Sequence, residues 1–264
     1  VLINHGLTPQ EIFFYRFLIA YLGIWVISPK RLFTNNWQDE LWLVAGGIFG
    51  GSLYFFTENT ALGITQASNV SFIICTAPLL TTILSLLFYK SEKASKGLIY
   101  GSLLALMGVG LIVFNGSFVL KISPIGDLLT LLAALSWAFY SLIIKKMARR
   151  YPTVFITRKI FFYGVLTILP AFLLHPLQPD TAVLLQPAVL FNLLFLAVLA
   201  SLICYVLWNV VLKQLGTVRA SNYIYLNPLV TMIASFLILD EKITLVALGG
   251  AACIVCGVYW AEKK

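Results

Sequence analysis

The chain has 264 residues, of which 60% are hydrophobic and only 11% are charged, and its mean hydropathy is +0.94. Because a soluble domain carries roughly 25% charged residues, this composition excludes a soluble fold and indicates an integral membrane protein. The net charge of +8 would suggest a nucleic-acid partner in a soluble protein. In a membrane protein, however, Lys and Arg collect in the cytoplasmic loops.

Nine apolar stretches are each long enough to cross about 30 Å of hydrocarbon as a helix. In chain order they are Pro9–Ser28, Leu41–Ala61, Ser68–Tyr89, Gly97–Phe114, Pro124–Ile144, Val154–Leu174, Ala188–Val211, Arg219–Leu239 and Ile243–Trp260. They are about twice as long as barrel strands and do not alternate, so the sequence predicts an all-α, polytopic helix bundle. The connections are too short to hold a soluble domain, and any function must lie inside the bundle.

The loop charges predict the orientation of this bundle. Fifteen Lys and Arg residues fall on one side of the predicted membrane and two, Lys121 and Lys242, on the other. The fifteen are Lys30, Arg31, Lys90, Lys93, Lys96, Lys145, Lys146, Arg149, Arg150, Arg158, Lys159, Lys213, Arg219, Lys263 and Lys264. Their side, which includes the C-terminus, is predicted to be cytoplasmic. Topology then accounts for the basic charge: the expected partner is the lipid bilayer of a plasma (bacterial inner) membrane, and no nucleic acid is expected.

An internal repeat relates the third and eighth spans. Pro78, Leu79, Thr81, Ile83, Ser85 and Leu87 recur at a constant offset of 150 residues, and Glu92-Lys93 recurs as Glu241-Lys242 once one residue is removed. The two copies are five spans apart, and an odd number of crossings turns one copy upside down relative to the other. Inverted repeats of this kind are typical of secondary transporters.

The repeat also predicts two domains and one further helix. The first repeat covers residues 1–115 and the second covers 124–264. The fifth span, which begins near Pro124, would have its partner before Val1. The sequence therefore predicts nine spans of an expected ten, with the first helix of the first repeat absent.

Several segments resemble one family. LGTVRASNYIYLNPLVTMIASFLILDEKIT (Leu215 to Thr244) and ALGITQASNVSFIICTAPLLTTILSLLFYKSEKAS (Ala61 to Ser95) are similar to the two repeat signatures of EamA-type proteins in the drug/metabolite transporter superfamily. YRF around Arg16 and GDLLTLLAALSWAFYSLIIKK (Gly126 to Lys146) are similar to further elements of that family. The resemblance implies ten spans in two inverted repeats of five, cytoplasmic termini, and export or exchange of small metabolites such as amino acids.

Two charges fall clearly inside the predicted spans. Arg16 lies about 10 Å deep in the first span, and Glu58 lies near the outer end of the second. Such charges are costly in hydrocarbon, and they either contact a substrate, pair with each other to lock two helices, or snorkel to the interface. The repeat counterparts of Arg16 and Glu58 are Lys159 and Trp208, so we expect no second carboxylate and a charge pair confined to the outer half.

Polar and aromatic groups predict either a tight helix contact or a cavity near the midplane. Gly47, Gly51, Tyr54 and Glu58 fall on one face of the second span, and Ser201, Tyr205, Trp208 and Asn209 on a comparable face of the seventh. If a cavity forms, its predicted substrate-binding residues are Arg16, Tyr54, Glu58, Asn59, Trp137, Tyr140, Tyr205, Trp208, Asn209, Asn222 and Tyr225. Pro78 and Pro228, in mid-span, are predicted hinges because proline removes a backbone donor.

These features favour a secondary transporter of small organic metabolites, such as amino-acid-like solutes, that works by alternating access. A passive channel or a lipid-handling scaffold is the alternative. A membrane enzyme is much less favoured, because the spans hold no recognisable catalytic pair. The sequence predicts no cofactor, no metal site and no catalytic residue.

Overall fold

A computed structural model gives the fold and describes residues 2–29, 33–89, 95–114, 123–174, 176–177, 181–239 and 243–263. Within these ranges every regular element is a helix, in agreement with the predicted all-α class. Some of the loop charges used for the predictions lie outside the described residues: Lys30, Arg31, Lys90, Glu92, Lys93, Lys121, Glu241, Lys242 and Lys264.

Seven helical stretches of the described chain are long and apolar enough to cross a membrane. They are Pro9–Ile27, Ala67–Phe88, Lys96–Phe114, Pro124–Met147, Thr153–Leu173, Pro187–Leu215 and Leu245–Glu262. The predicted second and eighth spans, Leu41–Ala61 and Arg219–Leu239, are largely helical but are not among the seven. The chain is therefore a multi-pass membrane protein, and the count of nine spans stays a prediction.

The surface of these helices is apolar. Large hydrophobic side chains are exposed along these helices, including Leu87, Phe88, Leu103, Met107, Leu245, Tyr259 and Trp260. A soluble monomer rarely exposes contiguous apolar surface on this scale, whereas lipid tails accept it at no cost.

The chain divides into two compact units, each built from segments of both halves of the sequence. Unit 1 comprises Val1–Asn59 and Phe139–Gln214, and unit 2 comprises Thr60–Ala138 and Leu215–Lys264. The predicted repeats, 1–115 and 124–264, cut across this division and remain a prediction.

Unit 1 contains the helices that carry most of the predicted site. They are α1 (Pro9–Ile27), α2 (Trp37–Gly47), the π-helix π1 (Ile48–Ser52), α3 (Leu53–Ile64, in part), the end of α7 (Pro124–Met147), α8 (Thr153–Ile168), α9 (Ala171–Leu174), α10 (Thr181–Leu184), α11 (Pro187–Leu194), the π-helix π2 (Phe195–Ile203) and α12 (Cys204–Leu215). Thr8 and Glu11 form a capping box that fixes the start of α1 at Pro9. α8 packs against α1, α2 and π1, and α1 packs against π2.

Unit 2 contains the other helices. They are α4 (Ala67–Ile74), α5 (Ala77–Phe88), α6 (Lys96–Phe114), the start of α7, α13 (Thr217–Asn222), a 3₁₀ turn (Tyr223–Leu226), α14 (Asn227–Leu239) and α15 (Leu245–Glu262). α6 and α15 form its tightest pair. A Cβ at Gly108 would lie 2.5 Å from the Gly250 carbonyl oxygen, and one at Gly257 would lie 2.5 Å from the Ala105 nitrogen, so only glycine allows the two backbones to approach this closely.

The two predicted hinge prolines follow interruptions in their helices. Pro78 is the second residue of α5, after a turn at Cys75 and Thr76, and Pro228 is the second residue of α14, after the 3₁₀ turn. Proline suits the first turn of a helix, where its missing N–H has no intrahelical acceptor to reach. Each proline thus begins a new half-helix instead of kinking a continuous one. Movement about these points stays a prediction.

Candidate functional site

Arg16 lies in unit 1 with part of its guanidinium group available. Its Nε donates a hydrogen bond to Ser201 Oγ at 2.8 Å, and its guanidinium carbon lies 4.6 Å from the centroid of the Phe55 ring. The cation therefore lies over an aromatic face, which stabilises a charge that lipid would not. Its two terminal nitrogens form no hydrogen bond or ion pair with any residue that the structure describes.

Glu58 lies on α3 of the same unit. Its Oε1 accepts a hydrogen bond from the Tyr54 hydroxyl at 3.1 Å, one helical turn earlier. Arg16 and Glu58 are close enough to interact electrostatically, but no direct ion pair joins them among the described residues. The sequence suggested Glu58 as the direct partner of Arg16, but Arg16 contacts Ser201 and Phe55 instead. The reason is that π2 brings the Ser201 hydroxyl within hydrogen-bond distance of Arg16 Nε.

A buried hydrogen-bond network lies beside these charges in unit 1. Tyr140 donates to Asn209 Oδ1 at 2.7 Å, and Asn209 Nδ2 donates to Thr157 Oγ1 at 2.9 Å. Tyr205 donates to the Gly50 carbonyl oxygen at 2.6 Å. That carbonyl belongs to π1, and π-turns often occur at functional sites because they change the spacing of backbone groups. Three predicted site residues are thus used for internal bonding, in a network that holds α7, α8, α12 and π1 together.

The remaining predicted site residues divide between the two units. Asn59 and Trp208 belong to unit 1 and are partly buried. Trp137, Asn222 and Tyr225 belong to unit 2, where Trp137 is partly buried and the other two are fully buried. The ring of Tyr225 is part of an apolar core cluster in unit 2, together with Cys75, Ala105, Val109, Ile254 and Val258. The structure therefore gives Tyr225 a packing role, while its contact with a solute stays a prediction.

Sequence reasoning missed a second buried charge cluster. Lys159 and Glu40 form an ion pair in which both side chains are about 95% buried, and Tyr163 donates to the same carboxylate. Thr34 donates to the other carboxylate oxygen from its backbone N–H at 2.9 Å and from its hydroxyl at 2.7 Å. The expectation that no second carboxylate is available near Lys159 is therefore wrong. Glu40 lies one residue before the predicted second span. Its helix, α2, packs against α8, and this contact brings Glu40 to Lys159.

These hydrogen bonds set the ionisation of Glu40. Burial alone would raise the pKa of its carboxyl group, but the bonds from Lys159, Tyr163 and Thr34 outweigh burial and lower that pKa to about 2. Glu40 is therefore a carboxylate throughout the physiological pH range.

Two residues counted as loop cations are in fact interior. Lys159 is 3% exposed and Arg158 is 2% exposed, and Arg158 donates to the Ser28 carbonyl oxygen at the end of α1. Their position inside the apolar stretch that begins at Val154 was the signal that could have identified them. Without them, thirteen predicted cytoplasmic cations still face two outer ones, so the predicted orientation does not depend on this correction.

A second ion pair, between Arg150 and Asp39, lies next to Glu40 in unit 1. Asp39 accepts hydrogen bonds from Arg150 at 2.7 Å and from the Tyr151 hydroxyl at 3.0 Å. The Arg150 side chain is 57% exposed and that of Asp39 is 5% exposed, so this pair joins a solvated cation to a buried carboxylate.

Comparison with known proteins gives consistent similarities. Residues 2–114 and 124–261 match the EamA-like transporter family. An "uncharacterized transporter" of Archaeoglobus fulgidus is 30% identical over 262 residues, which cover 98% of this chain and 89% of that protein. A "probable amino-acid metabolite efflux pump" of Escherichia coli is 23% identical over 97% of this chain and 86% of its own length. A solved crystal structure with 18% sequence identity aligns with a TM-score of 0.80 over 97% of this chain and 88% of that chain.

Proposed function

Because the chain belongs to the EamA-like transporter family, we propose that it is a secondary carrier of small zwitterionic solutes, of the amino-acid type, that works by alternating access. The observation that carries this proposal is the placement of Arg16 and Glu58 in unit 1. Each charge retains hydrogen-bonding capacity that no described residue uses. The name of the Escherichia coli relative, an amino-acid metabolite efflux pump, supports the same solute class and export as the direction.

A zwitterion fits these two groups chemically. The terminal nitrogens of Arg16 present parallel donors, which is the arrangement that binds a carboxylate in a bidentate manner. Glu58 Oε2 can accept from an ammonium group while Oε1 remains bonded to Tyr54. The rings of Phe55 and Tyr54 supply the apolar wall that ligand sites use around a few polar groups.

The inverted repeat supports the alternating-access part of the proposal. At the offset of 150 residues, π1 corresponds to residues 198–202, which lie inside π2. The turn before Pro78 and the 3₁₀ turn before Pro228 also fall at corresponding positions. Paired irregularities in paired helices are the features that transporters with inverted repeats place around their substrate sites. In this proposal the chain has nine spans in the plasma membrane and a cytoplasmic C-terminus.

A flux assay tests the proposal. The purified chain is reconstituted in proteoliposomes, and uptake of radiolabelled neutral amino acids is measured with and without the same unlabelled solute inside. A carrier gives saturable uptake and counterflow, because the loaded site returns faster than the empty one. Uptake that rises linearly with concentration and shows no counterflow would indicate a channel and reject the carrier.

The site itself is tested by single substitutions. Arg16→Gln and Glu58→Gln keep much of the side-chain volume but remove one charge each. We expect each to lower the apparent affinity for a zwitterion by about tenfold or more, in line with the loss of one charged hydrogen bond. Lys213→Gln, at an exposed position on α12, is the control and should transport normally. Wild-type affinity in both Gln variants would show that the solute binds elsewhere.

A further inference from the structure

Unit 2 contains fully buried polar side chains whose polar groups have no partner among the described residues, and three of these side chains belong to α5 and α13. They are the Thr81 hydroxyl on α5, the Ser221 hydroxyl on α13, and the Asn222 amide, of which neither the oxygen nor the nitrogen is bonded. A buried polar group that makes no hydrogen bond costs free energy, so native proteins pair such groups with protein or with ordered water.

Thr81 and Ser221 belong to two helices that share an interface, and Asn222 follows Ser221 as the last residue of α13. α5 and α13 pack against each other, and the hydroxyls of Ser85 and Thr217 meet there at 3.4 Å. Cys75, just before α5, and Tyr225, just after α13, lie in one core cluster, while Ser85 near the end of α5 meets Thr217 at the start of α13, so the two helices run antiparallel. One helical turn back along α5 leads to Thr81 and one turn forward along α13 leads to Ser221, which places these hydroxyls at the same level of the interface.

The pocket forms the open end of this interface. It has a volume of about 260 Å³, and its walls include Thr82 and Thr217. Arg219, Glu262 and Lys263 stand at the same pocket on the side predicted to be cytoplasmic. A water molecule occupies roughly 30 Å³ in the liquid, so the pocket has room for several. Thr217 lines the pocket and contacts Ser85, and it therefore connects the pocket to the buried hydroxyls.

The donor and acceptor character of the unbonded atoms indicates which ligand fits them. Thr81, Ser221 and the Asn222 oxygen could each coordinate a monovalent cation, but the Asn222 nitrogen is a donor and a cation would leave it unbonded. Water both donates and accepts, and it satisfies all four atoms.

We propose that a file of water molecules enters unit 2 at the Thr217 pocket, follows the α5–α13 interface past Thr81 and Ser221, and ends at Asn222, beside the 3₁₀ turn that interrupts the helix. This hydrated path supplies hydrogen bonds to an interrupted helix inside the membrane, where unpaired backbone groups are otherwise costly. It rests on contacts within unit 2 alone and does not depend on the proposed solute or on the carrier mechanism.

Silver ions test the path, because they are small enough to follow water and react with thiolates. Single cysteines are introduced as Thr81→Cys, Ser221→Cys and Thr217→Cys in a variant whose four native cysteines are replaced by alanine. Thr130→Cys is the matched control, since Thr130 is equally buried in unit 2 but its hydroxyl donates to the Gly126 carbonyl oxygen at 2.8 Å. After exposure to silver, the protein is denatured and the remaining thiols are counted with a maleimide.

We expect silver to protect the cysteines at 217, 81 and 221 at least about tenfold faster than the cysteine at 130, because a thiol in a dry site stays protonated and reacts only after local opening. Protection at 217 together with rates at 81 and 221 no faster than at 130 would overturn the proposal. Equal protection at all four positions would also overturn it, since it would reveal general opening.

A second measurement uses the native cysteines and needs no labelling. Replacing a hydroxyl that has no partner at all by an apolar group of similar shape removes a desolvation penalty and raises the apparent melting temperature, whereas removing a hydroxyl that is bonded to water lowers it. We therefore expect Thr81→Val and Ser221→Ala each to lower the apparent melting temperature. An increase in both variants would show that the interface is dry and overturn the proposal.

Discussion

Glu40 and Lys159 form an ion pair in the interior of unit 1, between the first turn of α2 and the second turn of α8. In the proposed repeat, Lys159 is the counterpart of Arg16. The two corresponding cations thus meet different partners: Lys159 has a carboxylate, whereas Arg16 has a hydroxyl and an aromatic ring. Glu40 thus neutralises Lys159 within the protein, whereas the terminal nitrogens of Arg16 remain able to donate hydrogen bonds to a ligand.

The buried pair should be strongly coupled. Glu40→Gln leaves the Lys159 charge in the interior without a counter-ion, and Lys159→Met does the same to Glu40, so we expect each to cost roughly 3–5 kcal/mol. The double variant should be more stable than either single one. The measurement is a double-mutant cycle on the apparent unfolding free energy in detergent. Additive effects would contradict the coupling.

The Arg150–Asp39 pair beside it, in which only the carboxylate is buried, is the internal comparison. Arg150→Gln breaks the bond to Asp39, but the Arg150 side chain is 57% exposed and water replaces part of the interaction. Asp39 is buried but keeps the bond from Tyr151, so we expect a cost of about 1–2 kcal/mol, smaller than that of Glu40→Gln. A loss as large as that of Glu40→Gln in the same unfolding experiment would show that burial does not distinguish the two pairs.

Acid should remove the contribution of Glu40. Its pKa is about 2 in the folded protein and roughly 4.3 in an unfolded chain, so the unfolded state binds the proton more readily. The stabilisation is fully present above about pH 4.3 and is lost as the pH falls through 2. Between pH 5 and pH 3, the apparent melting temperature of the wild type should therefore decrease more steeply than that of Glu40→Gln. Parallel curves would exclude Glu40 as a source of acid sensitivity.

The helix pair in unit 2 gives a steric prediction. A Cβ at Gly108 would meet the Gly250 carbonyl oxygen and the Ile254 nitrogen, which are backbone atoms that cannot rotate away. We expect Gly108→Ala to destabilise the protein by about 3 kcal/mol or more. Gly249→Ala, where no atom lies within 4 Å of the added carbon, should be neutral or stabilise by up to about 1 kcal/mol. Melting of the two variants side by side checks both values, and equal shifts would be evidence against close packing of α6 and α15.

The amide of Asn209 should be needed for the fold of unit 1. Asn209→Leu removes the acceptor of the Tyr140 hydroxyl and the donor to Thr157, and we expect a cost of roughly 2–4 kcal/mol from two lost buried bonds. Asn192→Leu, at a position on α11 where the amide nitrogen donates to the Ala188 carbonyl oxygen of its own helix, is the control and should change stability little. If melting of the two variants shifted equally, the network would not be a major source of stability.

Much of the fold could be predicted because apolar length and helix boundaries are local properties. The predicted spans Pro9–Ser28 and Gly97–Phe114 differ from the observed helices by one residue at one end. The partners of charged side chains could not be predicted in this way. Whether a cation near a span end is solvated, like Arg150, or buried, like Lys159, depends on which helix lies against it.

Which residues share a helix face also could not be predicted from a regular periodicity alone. A regular 3.6-residue repeat places Gly47, Gly51, Tyr54 and Glu58 on one face, but π1 intervenes between Gly47 and Tyr54. Only the residues after π1 keep their predicted position on one face, because the Tyr54 hydroxyl donates to Glu58.

The π-helix at Ile48–Ser52 is equivalent to one residue inserted into an α-helix, and every residue after it is rotated by about 100° relative to a continuous helix. Deleting one residue there would restore the α-helix and turn Tyr54 and Glu58 away from Arg16 without changing any side chain of the site. π2 carries the same kind of insertion at the corresponding place, and because it lies between Pro78 and Pro228, deleting one residue from π2 alone would shorten their spacing of 150 residues by one. Sequence relatives that lack one of them should carry a single-residue gap at this point and bind a different solute.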